Sequence, residues 1–315
     1  MSFGQSCNVV KTGDFTGGVN STNWSVQTAA TGWHYSAAWA PNEIYIEADG
    51  ITNVSLKQSL TGLIGSSLTV SFKIKGQNAN RSSVCPTTAT LVVKVGGTTY
   101  MTIQNTVNNS QITTTDITTS NSATYTTAGF PLTVAGASAS AITQGTITLT
   151  IPWSPATAAA TTGDVEFLAT TSNTLSGSCA AWGGDDWFLD DISVIASNPT
   201  SFSMTGSSVC AGSSTTIGLS GSQLGVNYQL QLGGTNTGSA VAGTGSAISF
   251  GSKSATGIYT VVATAGSTTC TTTMSGSVSI NPNPTLTGAS QSAAVCAGSG
   301  ALINLTGLLA SSTST

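Results

Sequence analysis

The sequence GGDDWFLDDISV, residues 183–194, indicates how the first part of the chain folds. It holds four of the chain's 11 acidic residues, and very little charge follows it. The two-residue period of a β-strand places Asp190 on the same face as Ile192 and Val194. A carboxylate on an apolar face requires a cation or several N–H donors. The stretch therefore predicts the closing strand of a β-domain, with a metal or hydrogen-bonding site beside it.

The composition favours strands and excludes several functional classes. Only 6% of the 315 residues are charged, against about a quarter in an ordinary globular protein. Abundant Thr, Val and Gly with little Leu, Glu or Lys favours strands over helices. A net charge of −4 provides no basic patch for phosphates, so we expect no nucleic-acid partner. No apolar run reaches the roughly 18 residues of a membrane span, so we expect no membrane insertion.

Residues 5–197, which we call the head, alternate between apolar and polar side chains as a half-buried sheet does. Every second residue is apolar in the segments 68–75, 91–95 and 147–151. No capped apolar pattern with a helical period accompanies them. The pattern predicts an all-β domain, a jelly-roll β-sandwich. Residues 1–4 are expected to be the remnant of a signal peptide or residues added for expression.

The character of the sequence changes after residue 197, because Lys253 is the only charged residue from there to the end. Three blocks then recur in order: VCAGS (209–213) returns at 295–299, IGLSG (217–221) returns as INLTG at 303–307, and NPT (198–200) returns at 283–285. The first two blocks are offset by 86 residues and the third by one residue fewer. Three blocks at one period predict a structural repeat.

A unit of about 85 residues suits an immunoglobulin-like β-sandwich. We expect one complete repeat over residues 198–282 and the start of a second, truncated repeat over residues 283–315. Within the first repeat, residues 226–232 are predicted to form a central strand and residues 257–263 a late strand. Tyr259 is placed like the tyrosine corner of such folds.

The six cysteines are widely spaced, and none forms a C-x-x-C pair. With a single histidine in the chain, no zinc site is predicted. The spacing indicates disulfides in an oxidising, extracellular compartment. We expect Cys210–Cys270 within the repeat and favour Cys85–Cys179 in the head, which leaves Cys7 without a partner there.

Cys296 is the counterpart of Cys210 in the second repeat, so its disulfide partner is expected about 60 residues later. The chain is therefore expected to stop inside the second repeat of a longer protein.

Three motifs of the head resemble calcium-containing jelly-roll carbohydrate-binding modules. They are VKTGDF (10–15), VSLKQSL (54–60) with the strand after it, and LDDISV (189–194). The resemblance implies a structural calcium joining the first and last strands, and carbohydrate bound through aromatic side chains. Thr12 and Thr16 depart from the family pattern, which has Asn and often a Glu ligand there.

The candidate calcium ligands are Asp14, Glu47 and Asp190, because oxygen ligands from different strands suit a hard cation. The alternative is that Asp190 accepts backbone N–H bonds at a strand end while the other carboxylates are solvated.

Several aromatic residues lie in or beside loops rich in Gly, Ala and Asn. A sugar ring stacks its apolar face on an aromatic ring while its hydroxyl groups form hydrogen bonds. The alternative is that part of this set plugs the ends of the sandwich. The candidate carbohydrate-binding residues are Trp33, Tyr35, Trp39, Trp182 and Trp187.

Catalysis is not expected. A single histidine, His34, without a strand-turn-helix serine motif argues against a hydrolytic triad. A glycosidase would need two facing carboxylates, for which Asp185, Asp186, Glu43 and Glu166 are available. Acidic residues this few in a small sandwich more often serve calcium or solubility.

The repeats resemble the Cys-Ala-Gly-Ser immunoglobulin-like units of large Bacteroidota surface proteins, a group that includes gliding-motility adhesins. This resemblance implies type IX secretion and an adhesin or filament at the cell surface. We predict a head that binds glycan or surface polysaccharide, displayed on a stalk of further repeats, with cell-surface anchoring proteins as additional partners. The alternative is a structural, filament-forming protein whose head is a terminal cap or protein-docking domain.

Overall fold

The computed structural model describes residues 7–11, 13–15, 23–27, 33–34, 43–46, 54–77, 88–106, 110–134, 142–155, 159–171, 186–266, 270–283, 288–291 and 303–306. These residues form strands and two short 3₁₀ turns, Thr114–Asp116 and Ala159–Thr161, and contain no α-helix. The predicted all-β class is confirmed. In the same residues, no helix has the length and hydrophobicity that a membrane span requires.

The head is a sandwich of antiparallel strands. They are β1 (Cys7–Asn8), β2 (Ser25–Gln27), β3 (Trp33–His34), β4 (Ile44–Ile46), β5 (Val54–Thr61), β6 (Ser67–Gln77), β7 (Thr88–Val95), β8 (Thr98–Thr106), β9 (Gln111–Ile112), β10 (Ile117–Thr119), β11 (Thr124–Ala128), β12 (Leu132–Thr133), β13 (Gly145–Pro152), β14 (Thr162–Thr171) and β15 (Asp186–Ala196). The first sheet has the order β11-β13-β6-β15-β4-β3, with β1 on β15, and the second has the order β10-β8-β7-β14-β5-β2. Because β5, β6, β7, β13, β14 and β15 alternate between the two sheets, the connections cross the sandwich as a jelly roll requires.

The core lies between these sheets and follows the predicted alternation. In β6, Leu68, Val70, Phe72 and Ile74 are buried, and the residues between them are half-buried or exposed. Phe72 meets Phe167 of the second sheet edge-on, with ring centroids 5.0 Å apart. The small two-stranded sheet of β9 and β12 contributes Ile112 and Leu132 to the same core. Burial of this many β-branched and aromatic side chains is the main force that holds the sheets together.

A β-bulge interrupts β15 and corrects the first prediction about Asp190. Asp190 lies opposite Lys73, and Ser193 lies opposite Ser71. Between these two pairs, β15 has two residues and β6 has only one. Asp191 accommodates the extra residue with a positive φ of 47°. The alternation therefore shifts by one residue, and Asp190 lies on the outer face of the sheet rather than with Ile192 and Val194 in the core.

The repeat is a second, smaller sandwich. Its strands are β16 (Met204–Thr205), β17 (Val209–Cys210), β18 (Thr215–Leu219), β19 (Val226–Leu232), β20 (Thr235–Asn236), β21 (Val241–Ala242), β22 (Ile248–Lys253), β23 (Gly257–Ala265), β24 (Thr271–Thr273) and β25 (Val278–Asn281). One sheet has the order β16-β18-β22 and the other the order β17-β25-β23-β19-β20, with β21 on β19 and β24 on β23. Both predicted strands are present, as β19 and β23.

Tyr259 forms the predicted tyrosine corner. It lies near the start of β23 and is 2% exposed. Its hydroxyl donates a hydrogen bond of 3.0 Å to the carbonyl of Ala255, four residues upstream. This bond back across the corner is the one that the immunoglobulin-like fold uses to fix the entry to this strand.

The last described strands repeat the pairing of the first strands of the repeat. In β26 (Gly288–Gln291) and β27 (Ile303–Thr306), Ala289 lies opposite Leu305. In the first repeat, Met204 lies opposite Leu219. The two pairs are related by the same offsets of 85 and 86 residues that the sequence blocks show. The backbone thus has the periodicity of the sequence, while the exact domain boundaries stay predictions.

The head and the repeat contact each other directly. Gly266, at the end of β23, lies against the backbone of Thr61 and Gly62 in the head, and a Cβ at Gly266 would lie 2.6 Å from the Gly62 nitrogen. With a φ of 51°, this position also favours glycine for its backbone conformation. The contact leaves no room for a side chain, so the two units are packed backbone to backbone here.

A disulfide joins the two units at the same place and corrects the predicted pairing. Cys270 bonds to Cys7, with Cα atoms 5.5 Å apart, and not to Cys210. The prediction of Cys210–Cys270 is wrong because these residues lie at opposite ends of the repeat. Cys85 and Cys179 lie outside the described residues, so their pairing stays a prediction.

Candidate functional site

The outer face of the first head sheet carries two aromatic rings side by side. Tyr45 of β4 lies opposite Phe188 of β15, with ring centroids 5.0 Å apart and planes inclined by 36°. Ile142 packs against the pair. Phe188 is buried and Tyr45 is half-buried. Phe188 thus supports the tyrosine ring, and the tyrosine ring keeps part of its surface open to solvent.

Glu43, the residue before β4, organises the polar groups beside these rings. Lys75 Nζ lies 2.6 Å from Glu43 Oε1 and 2.9 Å from Oε2. Gln144 Nε2 donates to Oε1 at 3.1 Å. Because the carboxylate is largely buried, these partners offset the cost of its desolvation. We call Glu43, Tyr45, Lys75, Gln144 and Phe188 the outer patch.

A second charged cluster lies next to the outer patch on the same face. Lys73 pairs with Asp191, and its Nζ lies 3.8 Å from Asp190 Oδ2. The hydrogen bond to Asp191 raises the pKa of Lys73, while burial raises the pKa of Asp190. Asp190 Oδ1 is buried and has no hydrogen-bond partner among the described residues. The cluster is therefore held by one lysine that serves two carboxylates.

The predicted calcium ligands are only partly brought together. Asp14 is exposed and lines a concavity of about 460 Å³ with Asp191, Asn8 and Ile192. Asp190 was the predicted ligand from β15, but its neighbour Asp191 is the residue that lines this concavity. Glu47 lies outside the described residues. Within the described residues, no group of three or more His, Cys, Asp or Glu is arranged to hold a metal ion.

Asp14 and Asp191 nevertheless supply the carboxylate oxygens that calcium prefers. Lys73 competes for Asp191, and Asn8 Oδ1 already accepts the N–H groups of Val10 and Val194. Calcium usually takes about six to eight oxygen ligands, water included. The described residues supply two carboxylates toward this number.

The prediction that Trp187 binds sugar is wrong, because its side chain is 0% exposed. It lies opposite Gly76 in β15 and belongs to the core between the sheets. Trp33 lies in β3, opposite Ile46 at the edge of the first sheet. The other predicted aromatics, Tyr35, Trp39 and Trp182, lie outside the described residues.

The outer patch was not identified from the sequence, although a signal for it existed. Once Trp187 and Leu189 are assigned to the core, the two-residue period places Phe188 on the outer face. Its partner Tyr45 follows from the same rule, since Ile44 and Ile46 on either side of it are buried. Gln144 could not be found in this way, because it lies before β13, outside any strand, and its contact with Glu43 depends on the tertiary structure.

Two of the carboxylates considered for a glycosidase do not form a pair. Glu43 lies beside the outer face of the first sheet, and Glu166 lies in β14 of the second sheet. Glu166 forms ion pairs with the lysines opposite it on the two neighbouring strands. Lys57 Nζ lies 3.3 Å from Oε1, and Lys94 Nζ lies 3.6 Å from Oε2. The two glutamates therefore do not face each other across a cleft, as a retaining or inverting mechanism requires.

No protein-family model and no curated protein matches the chain. Solved structures of similar architecture include the adhesin domain of Epf from Streptococcus pyogenes, with 13% identity and a TM-score of 0.38 over 90% of this chain and 99% of that one. A carbohydrate-binding module in complex with β-1,4-galactotriose has 12% identity and a TM-score of 0.27 over 59% of this chain and 97% of that one. Likenesses this distant carry no argument about function.

Proposed function

We propose that the chain is part of an extracellular, cell-surface adhesin whose head binds glycan and whose immunoglobulin-like repeats form a stalk. The outer patch is the observation that carries this proposal. A half-exposed tyrosine ring, supported from below by Phe188, lies beside a carboxylate, an ammonium group and an amide. A saccharide needs this combination, an apolar face to stack on and donors and acceptors for its hydroxyl groups.

We extend the proposed site to aromatic residues in the two sequence segments that precede the strands bearing the patch. The segment that joins β3 to β4 carries Tyr35 and Trp39, and the segment that enters β15 carries Trp182. Each segment leads into a strand of the sheet that bears the patch, β4 or β15. We include these three aromatics and Trp33 in the proposed glycan site, with type IX secretion and attachment at the cell surface as the setting that the resemblance of the repeats implies.

The test is a glycan-array screen of residues 1–315. The proposal expects binding to a defined set of neutral or weakly charged glycans, which Tyr45→Ala reduces at least tenfold. Lys57→Met is the matched control for Lys75→Met, because Lys57 makes the same kind of ion pair with Glu166 on the other outer face. Loss of binding with Lys75→Met alone supports the outer patch. A blank array from the folded protein favours the structural alternative.

A calcium ion between Asp14 and Asp191, with Glu47 as the third carboxylate, is part of the same proposal. The concavity at the first and last head strands supports it. The test compares the melting temperature of the chain in calcium and in chelator, for the native protein and for Asp14→Asn. We expect calcium to raise the melting temperature of the native head and to leave Asp14→Asn unchanged. An equal response in both proteins contradicts this site.

A structural role remains the second candidate, because one observation favours it specifically. The disulfide and the backbone packing between Gly266 and Gly62 join the head to the first repeat. A joint of this kind suits a terminal cap. The glycan array separates these two functions.

A further inference from the structure

Two cysteines face the last residue of the last strand in consecutive units of the chain, from an antiparallel strand in the head and a parallel strand in the repeat. Cys7 lies in the two-residue strand β1 and pairs with Ala196, the last residue of the last head strand. Cys210 lies in the two-residue strand β17 and pairs with Asn281, the last residue of the last strand of the repeat. Each cysteine therefore marks the end of its unit from which the chain continues into the next unit.

Cys270 lies at the other end of the repeat, the end that contacts the head. Its carbonyl accepts a hydrogen bond of 3.0 Å from the nitrogen of Ala265, the last residue of β23. Gly257, the first residue of that strand, pairs with Ile280 beside the Cys210 end. Eight residue steps of β23 separate the two ends, which is about 26 Å at the usual rise of a strand. The repeat thus has one cysteine at each end, too far apart to bond to each other.

The bond between Cys7 and Cys270 shows what these two positions do when units adjoin. The cysteine at the exit of the first unit is bonded to the cysteine at the entrance of the second. Cys210 holds the exit position of the second unit, and its thiol is free and exposed.

The local structure around Cys210 is built from a sequence that recurs. The nitrogen of Ala211 donates to Asn281, and the nitrogen of Ser213 donates back to Cys210 at 3.1 Å. Gly212 takes a φ of 91° in this turn, which a residue with a side chain rarely adopts. The VCAGS sequence therefore encodes a turn that presents the cysteine at the unit's exit, and residues 295–299 repeat it.

We propose that Cys210 forms a disulfide with the cysteine at the Cys270 position of the unit that follows, so that successive units are cross-linked in series. This rests on the proposed stalk of repeats. Two thiols lose two electrons and two protons, which pass to a disulfide oxidant through thiol–disulfide exchange. At the offset of 86 residues, Cys296 is the sequence counterpart of Cys210 in that following unit.

The test is a peptide map, without reduction, of the secreted protein as cells produce it, with free thiols alkylated before digestion. We expect the Cys210 peptide to be linked to a peptide about 86 residues beyond that of Cys270, at the repeat period. An alkylated Cys210, a bond to Cys85, Cys179 or Cys296, or a protein without a cysteine at that later position overturns the proposal.

Two variants give this map its control. Cys210→Ser removes the proposed bond and makes the later cysteine alkylatable, while Cys7→Ser does the same to Cys270 through the bond already seen. If Cys210→Ser exposes no new thiol, the proposal fails. Glycan binding measured on the same preparations reports on the head separately, so failure of the cross-link is distinguishable from failure of the adhesin function.

Discussion

The head and the first repeat are both antiparallel sandwiches, yet different interactions fix them. The head contains every charged residue of the chain except Lys253 and buries large rings such as Trp24 and Trp187. The repeat instead anchors its two buried tyrosines to backbone. Tyr228 Oη accepts from the Gln223 nitrogen at 2.8 Å, and Tyr259 donates to Ala255. A nearly uncharged sandwich can thus specify its loops through tyrosine–backbone bonds where the head has ion pairs and large apolar side chains.

The largest expected effect lies in the head core. Trp187→Ala removes a fully buried ring, so we expect a loss of about 3–5 kcal/mol in unfolding free energy. Hydrogen exchange should locate the loss in the head and leave β19 and β23 protected. A native-like stability would contradict the assignment of Trp187 to the core and return it to the set of sugar-binding candidates.

The joint between the two units gives the next effect. Cys7→Ser opens a loop with a sequence separation of 263 residues, and we expect a loss of about 2–4 kcal/mol. Calorimetry should resolve separate transitions for head and repeat where the native chain shows coupled melting. Cys210→Ser is the control in residues 1–315, because the Cys210 thiol has no disulfide partner among the described residues. Unchanged coupling in Cys7→Ser would mean that packing alone holds the units together.

The tyrosine corner gives a smaller effect confined to the repeat. Tyr259→Phe deletes the bond to Ala255 and keeps the ring, so we expect a cost of about 0.5–1.5 kcal/mol. Tyr125→Phe in the head removes a solvent-exposed bond to Thr114, and we expect a smaller change. Chemical denaturation of both variants checks this order, and equal costs would remove the special role of the corner.

The smallest effect concerns pH. Burial raises the pKa of Asp190 above 3.8, so its ionised form is disfavoured in the folded state. The stability contribution of this group is present at low pH and is lost as pH rises through the unfolded and then the folded pKa. We expect the free energy of unfolding of Asp190→Asn, relative to that of the native protein, to increase as pH rises from about 3 to about 6. This range includes the reference pKa of an aspartate side chain. A constant difference across this range contradicts the raised pKa.

The sequence predicted the fold class, the strands β19 and β23 and the corner at Tyr259, because each depends on local periodicity or on a short fixed spacing. The face of Asp190 was predicted incorrectly, since the bulge at Asp191 depends on how β15 pairs with β6. Trp187 was predicted to lie in or beside a loop, because the glycine-rich sequence before it does not reveal where the strand begins. The disulfide partner of Cys270 could not be predicted, because it depends on which end of the repeat Cys270 lies at and on the contact of that end with the head. The spacing of cysteines along the sequence carries neither piece of information.

The binding affinity of Tyr45→Ala for the strongest array ligand, measured by calorimetry beside Lys57→Met, tests the central claim most directly. The account predicts that Tyr45→Ala weakens binding at least tenfold, which is about 1.4 kcal/mol or more, while Lys57→Met binds as the native chain does. Equal affinity in all three proteins would contradict a glycan site on the outer patch.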